Sequence, residues 1–525
     1  MVLKALARLN DVRENRSKTE HHSVNHMPAL SVLALPPSAS EGAPPSRLLG
    51  EVPPEAWARV LSRMRPIGHS FREQRTVDVI DHASAESLRA IGVPAQARPL
   101  EEVVDQMLEE IYPWRARMDH PRFLAFIPGP SSPLSALGDY LTAVHNVHAG
   151  SWLQSSGASV IEAALIRWLA AQVGLPPSAG GLFVSGGSMA NLTALAMARD
   201  FKLEPAQRLQ GVAYVSEQTH SSVAKGLKIL GLLPHQIRRM PTDAAFRMDM
   251  TALAAAVEQD LSDGLRPFAV VASAGTTNTG SIDPLRRIRA LCDAHDMWMH
   301  VDGAYGASAA LSPSHRGLLD GIGEADSLSW DAHKWLFQTY GCGMVFVRQR
   351  KHLSQVFHTR PEYLLDAQAD TDADQINFWD LGVELTRPAR ALKLWLTLQV
   401  LGSDAMGEAI AHGCRLATWA QHELEKDPRW DIVSPAQLGI VTFRMTDAAM
   451  SPEALDALNS EISSRALQEG FATVLTTRLR HRTVLRICAI HPDATESDMR
   501  ETIQMLSSYA DAVLASGVHI SKSFS

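Results

Sequence analysis

What is scarce in this sequence limits what the protein can be. Only four cysteines occur among its 525 residues, and they form neither a CxxC pair nor a zinc-type spacing. The sequence therefore predicts free thiols, a reducing cytoplasm and no metal site rather than a disulfide framework. It also lacks any run of about 18 apolar residues, so we expect no membrane-spanning helix. The cysteines are Cys292, Cys342, Cys414 and Cys488.

An excess of basic residues is missing too. Lys and Arg total 49 against 57 Asp and Glu, which gives a formal charge of −8 and a pI near 6.2. Without a clustered basic stripe, this balance argues against a nucleic-acid surface. Hydrophobic residues make up 46% and charged residues 20%, as in ordinary globular proteins. A chain of this length can bury a large core and predicts two or three domains.

The first 50 residues differ in kind from the rest. They lack the apolar core of a signal peptide and carry a Pro/Ser-rich stretch at 35–46. This composition predicts a disordered extension over 1–50. A transit peptide is the alternative, and Asp11, Glu14 and Glu20 count against it because they interrupt the basic face.

The spacing of apolar residues divides the chain after residue 50 into further segments. Residues 51–132 show helical patterns, and 133–391 alternate between strand and helix patterns, which predicts an α/β domain with a mostly parallel central sheet. A long helical pattern then leads into a smaller α+β domain over 392–515, with strand patterns at 439–444 and 484–489. Residues 516–525 are predicted to be a tail.

Lys334 is the first candidate catalytic residue. It lies between Trp330 and Trp335 and follows His333. A lysine amine can form an imine with an aldehyde cofactor, of which pyridoxal phosphate is the common one. Because a lysine flanked by aromatic residues is more often a surface residue, this segment does not establish a cofactor by itself.

A candidate phosphate site lies upstream, where an apolar run, a Gly/Ser turn and a helical pattern follow one another at 182–192. Backbone N–H groups and the helix dipole favour an anion at such a junction. Gly186 and Gly187 allow close approach, and the Ser188 hydroxyl can donate to a phosphate oxygen. A tight turn with a serine cap is the alternative.

Asp302 ends a buried-looking strand at 297–302. The carboxyl end of a parallel strand is where open α/β sheets bind ligands, and a carboxylate there can pair with a protonated pyridine nitrogen. Ala304 is small enough to lie under a flat ring on the same side. A helix cap or turn is the alternative for Asp302.

Two further segments could complete a cofactor pocket. His220 follows a strand pattern at 214–216 and could stack on the ring face opposite Ala304. Thr277 lies in a hydroxyl-rich stretch at 272–284, which suits a polar loop as well as a cofactor pocket.

These segments follow one another over about 150 residues, each after a strand-like run. In this order the chain resembles the pyridoxal-phosphate group II amino acid decarboxylases, over about residues 120–510. The resemblance implies pyridoxal-phosphate fold type I, the aspartate aminotransferase-like fold. It also implies that Gly187 and Ser188 hold the phosphate, His220 stacks, Asp302 pairs with the ring nitrogen and Lys334 attaches the cofactor. His333 would touch the phosphate, and Thr277 would lie near the cofactor.

One departure from the family pattern concerns Asp331. The family often has Asn-Pro-His-Lys where this chain has Asp331, Ala332, His333 and Lys334. Because an acid repels a phosphate, we expect Asp331 to turn away or to pair with a basic group. The cofactor assignment does not depend on it.

The resemblance further implies a homodimer, formed through the N-terminal helices, and a loop tyrosine that assists protonation, which aligns with Tyr363. Ile127, Pro128 and Trp152 correspond to substrate-pocket positions. An aromatic L-amino acid is the expected substrate, converted to its amine and CO2. The alternatives are an acidic or diamino substrate, an oxidative aldehyde synthase, and a non-catalytic binding protein.

Overall fold

The structure is a computed structural model that describes residues 54–63, 72–359 and 375–515. Its contacts divide the chain into two units, Met1–Trp57 and Ala58–Ser525. All contacts discussed below lie within the second unit.

The helices of the described residues are numbered in chain order: α1 (Pro54–Arg63), α2 (His82–Ala90), α3 (Leu100–Gln106), α4 (Pro133–His145), α5 (Trp152–Gln172), α6 (Gly187–Lys202), α7 (Ser221–Ile229), α8 (Met250–Ser262), α9 (Leu285–Ala294), α10 (Ala332–Trp335), α11 (Lys351–Phe357), α12 (Ala391–Leu424), α13 (Pro452–Glu469) and α14 (Glu496–Ala515). The strands are β1 (Gly180–Val184), β2 (Gly211–Ser216), β3 (Ile237–Met240), β4 (Arg266–Ser273), β5 (Trp298–Asp302), β6 (Ser327–Asp331), β7 (Gly343–Val347), β8 (Trp430–Gln437), β9 (Ile440–Met445), β10 (Leu475–Leu479) and β11 (Arg482–Cys488).

The large sheet has seven strands in the order β1-β7-β6-β5-β4-β2-β3. Strands β3, β2, β4, β5 and β6 pair in parallel, and β7 runs antiparallel to both of its neighbours, β1 and β6. The register places Asp302 opposite Ser273 on one side and Ser329 on the other. The carboxyl ends of three central strands therefore meet at one edge of the sheet.

Hydrophobic residues cover both faces of this sheet. Alternate residues of β4 pack into different clusters: Val270 and Ala272 belong to one, Ala269 and Val271 to the other. This alternation follows from the two-residue repeat of a strand. Helix α6 packs on the face of Ala269 and Val271 and so begins at the sheet edge where Asp302 lies.

The second sheet has four antiparallel strands in the order β10-β11-β9-β8. Helices α12, α13 and α14 supply the other half of its core. Helix α12 contains a break at Gly402, whose φ of 79° lies in the left-handed region that glycine adopts without a Cβ penalty.

The α/β fold with a mostly parallel central sheet is confirmed. The strand patterns predicted at 439–444 and 484–489 correspond to β9 and β11. The domain limits at 51–132, 133–391 and 392–515 stay predictions, and 1–50 and 516–525 lie outside the described residues. None of the helices in the described ranges is long and apolar enough to cross a membrane.

Candidate active site

A cavity of about 500 Å³ opens at the carboxyl ends of the parallel strands. Eight predicted site residues line it together although they come from five segments of the chain. They are Gly187, Ser188, His220, Thr277, Asp302, Ala304, His333 and Lys334.

The turn before α6 forms one wall of the cavity. No side chain caps the first turn of this helix, so the N–H groups of Gly187 and Ser188 are available to an anion, while Met189 N donates to the Gly186 carbonyl. The turn also has no room for side chains. A Cβ at Gly186 would lie 2.9 Å from the His333 ring, and one at Gly187 would lie 2.9 Å from Asp331 Oδ2.

Asp302 is buried, and its carboxylate accepts three hydrogen bonds. Its Oδ1 accepts from Ala304 N and Ser329 Oγ, each at 3.1 Å, and its Oδ2 accepts from Asn191 Nδ2 at 3.0 Å. Burial acts to raise the pKa of the Asp302 carboxyl. The charge of Lys334 and the bonds from Ala304 and Asn191 outweigh burial, so the pKa lies below its ordinary value and the group is a carboxylate at neutral pH.

Lys334 faces Asp331 rather than the flanking tryptophans. Its Nζ lies 3.1 Å from Asp331 Oδ2. Trp330 and Trp335 are buried in the core, where the Trp335 ring stacks on Tyr305 at 4.9 Å. The expected pairing of Asp331 with a basic group is therefore present, while its Oδ1 is buried without a hydrogen-bond partner.

His333 and His220 both line the cavity, each held through its Nδ1 atom. Burial lowers the pKa of His333, whose Nδ1 accepts from Cys342 N at 3.3 Å. The Nδ1 atom of His220 accepts from Ser222 N at 3.2 Å and lies 2.8 Å from Ser222 Oγ, so His220 caps α7.

Thr277 is held through its backbone. Its carbonyl accepts from Arg486 Nε at 2.6 Å, and Arg486 is a buried residue of β11 in the second sheet. The second sheet thereby positions a loop of the first, which sequence alone does not reveal.

Three predicted residues of the described chain are not part of this lining. Ile127, Pro128 and Trp152 do not line the cavity, so their place in a substrate pocket stays a prediction. Ile127 packs on the main core, and Trp152 begins α5, with its N–H donating to Asn377. Tyr363 lies outside the described residues.

Sequence reasoning missed the polar side chains behind the cavity. Asn191 and Ser222 line it, and the buried His300 contacts Asn191. One signal for Asn191 was available: it is a polar residue in an otherwise apolar stretch of α6, one helical turn after Gly187.

All four cysteines are free and buried, and burial raises their thiol pKa to about 11 for Cys488 and about 12 for the other three. Within the part of the chain that the structure describes, no group of His, Cys, Asp and Glu is arranged to hold a metal ion.

Comparison with known proteins identifies the family. Residues 85–446 match the pyridoxal-dependent decarboxylase conserved domain. An aromatic-L-amino-acid decarboxylase from Bacillus atrophaeus is 41% identical, over 80% of this chain and 88% of that protein. A phenylacetaldehyde synthase from Arabidopsis thaliana is 30% identical, over 77% and 84%. The crystal structure of Oryza sativa TDC with PLP and tryptamine superposes with a TM-score of 0.82 at 26% identity, covering 87% of this chain and 97% of that one.

The chain belongs to the pyridoxal-dependent decarboxylase family. It is an enzyme, a carboxy-lyase whose cofactor is pyridoxal phosphate. The residues that line the cavity fit this cofactor independently of the comparisons. A lysine amine, a buried carboxylate and an uncapped helix turn with no space for side chains converge on it.

Proposed function

We propose that the protein decarboxylates an aromatic L-amino acid to the corresponding amine and CO2. The observation that carries the proposal is the convergence of Lys334, Asp302 and His220 on one cavity beside the turn before α6. The similarity to an aromatic-L-amino-acid decarboxylase and to a structure containing tryptamine supports the aromatic side chain.

The bound cofactor supplies an electron sink for the pair left on Cα when CO2 departs. Lys334 holds the cofactor aldehyde covalently. The Asp302 carboxylate holds a proton on the pyridine nitrogen, as its lowered pKa allows. The first turn of α6 with Gly187 and Ser188 binds the phosphate, with His333 beside it. Ala304 and His220 would lie against the two faces of the bound ring, and Thr277 would lie near it.

The identity of the product depends on whether a proton or oxygen reacts at Cα after CO2 has left. We infer that Tyr363 delivers a proton there, which gives the amine. If oxygen intervenes instead, one amino acid, O2 and water give an aldehyde, CO2, ammonia and hydrogen peroxide. The similarity to a phenylacetaldehyde synthase makes this oxidative reaction the second candidate. Retention of both Tyr363 and His220 favours the amine.

The test is a panel of the twenty amino acids with the purified holoenzyme, measuring CO2, amine, ammonia and peroxide. We expect stoichiometric CO2 and amine from tryptophan, tyrosine or phenylalanine. Activity confined to glutamate, aspartate or 2,4-diaminobutyrate would move the substrate to the acidic or diamino class. Absence of CO2 release from every amino acid would refute the proposal.

Two variants sharpen this test. Borohydride reduction should fix the cofactor to the peptide that contains Lys334, and Lys334→Ala should lose both the label and CO2 release. Tyr363→Phe should retain the label and CO2 release while ammonia, aldehyde and peroxide rise at the expense of amine. An unchanged amine yield in Tyr363→Phe would assign that tyrosine another role.

We also propose a homodimer in the cytoplasm. Helix α4 carries an exposed apolar stripe at the spacing of one helical face, which supports a partner surface. Its members are Leu137, Tyr140, Leu141 and Val144. The four free thiols support a reducing compartment. Light scattering of the purified protein should give twice the chain mass of 57.3 kDa, and Leu141→Glu with Val144→Glu should reduce it to the chain mass.

A further inference from the structure

A continuous line of hydrogen bonds behind the cavity connects two residues that would contact the cofactor, Asp302 and His220. Asn191, in α6, is its centre. Its Nδ2 lies 3.0 Å from Asp302 Oδ2 and 3.1 Å from Ser222 Oγ, and its Oδ1 lies 2.9 Å from His300 Nε2. Asn191 is almost fully buried, and each of its side-chain polar atoms has a partner.

The direction of these bonds can be worked out from Asp302. A carboxylate only accepts, so the Asn191 amide nitrogen faces Asp302 and its oxygen faces His300. His300 Nε2 must then donate. Burial lowers the pKa of His300 to about 4, so the ring is neutral and its Nδ1 accepts from Ser327 Oγ at 2.9 Å.

The hydrogen bonds from Asn191 through Ser222 to His220 also have defined donors and acceptors. The second hydrogen of Asn191 Nδ2 is donated to Ser222 Oγ. Ser222 N donates to His220 Nδ1, so that nitrogen carries a lone pair and can also accept the Ser222 hydroxyl hydrogen, at 2.8 Å. In the neutral ring the proton of His220 is consequently on Nε2.

We propose that Asn191 is a positioning residue that orients the Asp302 carboxylate and directs the Ser222 hydroxyl hydrogen to His220 Nδ1. Together with the Ser222 backbone N–H, that hydroxyl holds the His220 tautomer with its proton on Nε2. This inference rests on the proposed function for its consequence in catalysis. The Asn191 amide thereby acts on two residues of the site. It orients Asp302, which would hold the ring-nitrogen proton, and it acts through Ser222 on His220, which would lie against the ring face. Neither effect requires Asn191 to touch the cofactor.

The first experiment compares steady-state kinetics of variants with the cofactor bound. Asn191→Leu keeps the volume and removes every hydrogen bond. Asn191→Asp keeps the shape and the bond from His300 but cannot donate to Asp302. We expect both to lower kcat by about tenfold to a hundredfold, as loss of a hydrogen bond to a charged group does, with KM within about threefold.

Thr193→Val is the matched control. Thr193 is buried on the same helix, and its hydroxyl donates to the Met189 carbonyl and to no other group of the described residues. It should retain the kcat of the wild type. A cofactor-loaded Asn191→Leu or Asn191→Asp with kcat within twofold of Thr193→Val would overturn the role at Asp302.

The second experiment does not depend on turnover. In holoenzyme labelled with 15N-histidine, the His220 signals are assigned by their loss in His220→Asn. We expect a neutral pattern with the proton on Nε2. In Ser222→Ala we expect the Nδ1 chemical shift to change, because the variant loses the hydroxyl hydrogen bond but keeps the backbone N–H donor. An unchanged Nδ1 shift in that variant would overturn the role of the hydroxyl. A wild-type proton on Nδ1 would overturn the inferred tautomer. If no amino acid releases CO2, the proposed function fails while this measurement still decides the hydrogen-bond line.

Discussion

The Nζ atom of Lys334 lies 3.1 Å from Oδ2 of Asp331. This pair lies against the turn that would hold the cofactor phosphate, because a Cβ at Gly187 would approach the same Oδ2 atom to 2.9 Å. When Lys334 is bonded to the cofactor, Asp331 loses that partner, and its negative charge remains close to a phosphate dianion.

Asp331→Asn is therefore expected to tighten cofactor binding. The substitution removes a charge that repels the phosphate and leaves an amide that can donate to it. We expect the dissociation constant for pyridoxal phosphate to fall about tenfold, measured by fluorescence titration of the cofactor-free enzyme. Asp320→Asn makes the same charge change on the exposed surface, outside the cavity lining, and should leave the constant unchanged. Weaker binding in Asp331→Asn would mean that the carboxylate assists attachment at Lys334.

Asp302→Asn should separate cofactor attachment from catalysis. Lys334 is unchanged, so the variant should still bind the cofactor and be labelled by borohydride. Its neutral amide cannot hold a proton on the pyridine nitrogen, so we expect kcat to fall by at least about a hundredfold. Ser273→Ala, on the neighbouring strand end that also lines the cavity, is the control and should lose far less. Near-normal turnover in Asp302→Asn would show that the carboxylate is structural.

The positions of the residues that follow strand ends could be predicted from the sequence. Asp302, Lys334 and His220 each follow an apolar run, and parallel strands bring their carboxyl ends together wherever such runs pair. The mostly parallel sheet was predictable for the same reason. The boundary patterns at β9 and β11 were also correct to within two residues at their starts.

The supporting side chains were not predictable, because their partners are distant in the chain. Asn191 lies 111 residues from Asp302 and 109 from His300, and nothing in a local pattern specifies that α6 packs on β5 at that register. The surroundings of Lys334 illustrate the same limit. Trp330 lies four residues before it and Trp335 directly after it, yet both pack into the core while the amine faces Asp331.

A buried ion pair gives a prediction about stability. Arg387 donates to both carboxylate oxygens of Glu162, at 2.7 and 3.0 Å, and to the carbonyls of Phe183 and Ala149. Both charged side chains are at most 1% exposed. The pair thus ties α5 to β1, just before the turn that leads into α6.

Arg387→Met should lower the free energy of unfolding by about 3–5 kcal/mol, because it leaves the Glu162 charge buried without an opposite charge, with Phe183 N still donating to it. Adding Glu162→Leu should recover part of that loss, since the double variant buries no lone charge. Urea unfolding measures the free energy of unfolding of the single and the double variant. Arg286→Met removes an exposed arginine and should leave the free energy nearly unchanged. A single variant as stable as the double would contradict this account.

The stability of the protein should also depend on the buried His300 in acid. Its folded pKa is about 4, below the value of 6.5 expected in the unfolded chain. Above pH 6.5 both states are neutral, and this group adds no pH dependence. As the pH falls from 6.5 towards 4, the unfolded state takes up a proton that the folded state does not. The unfolded state is then favoured, by about 3 kcal/mol at the end of that window.

His300→Gln should remove this contribution while its amide can still donate to Asn191. The dependence of wild-type stability on pH does not by itself isolate the contribution of His300. His120, with a pKa lowered to about 4, adds the same slope, and Asp283, whose pKa burial raises to about 6, adds the opposite one. The difference between the two proteins cancels both. We expect urea unfolding of the wild type to lose stability relative to His300→Gln as the pH falls from 6.5 towards 4. Parallel profiles across that range would show that His300 takes up a proton in the folded state and that its burial does not keep it neutral.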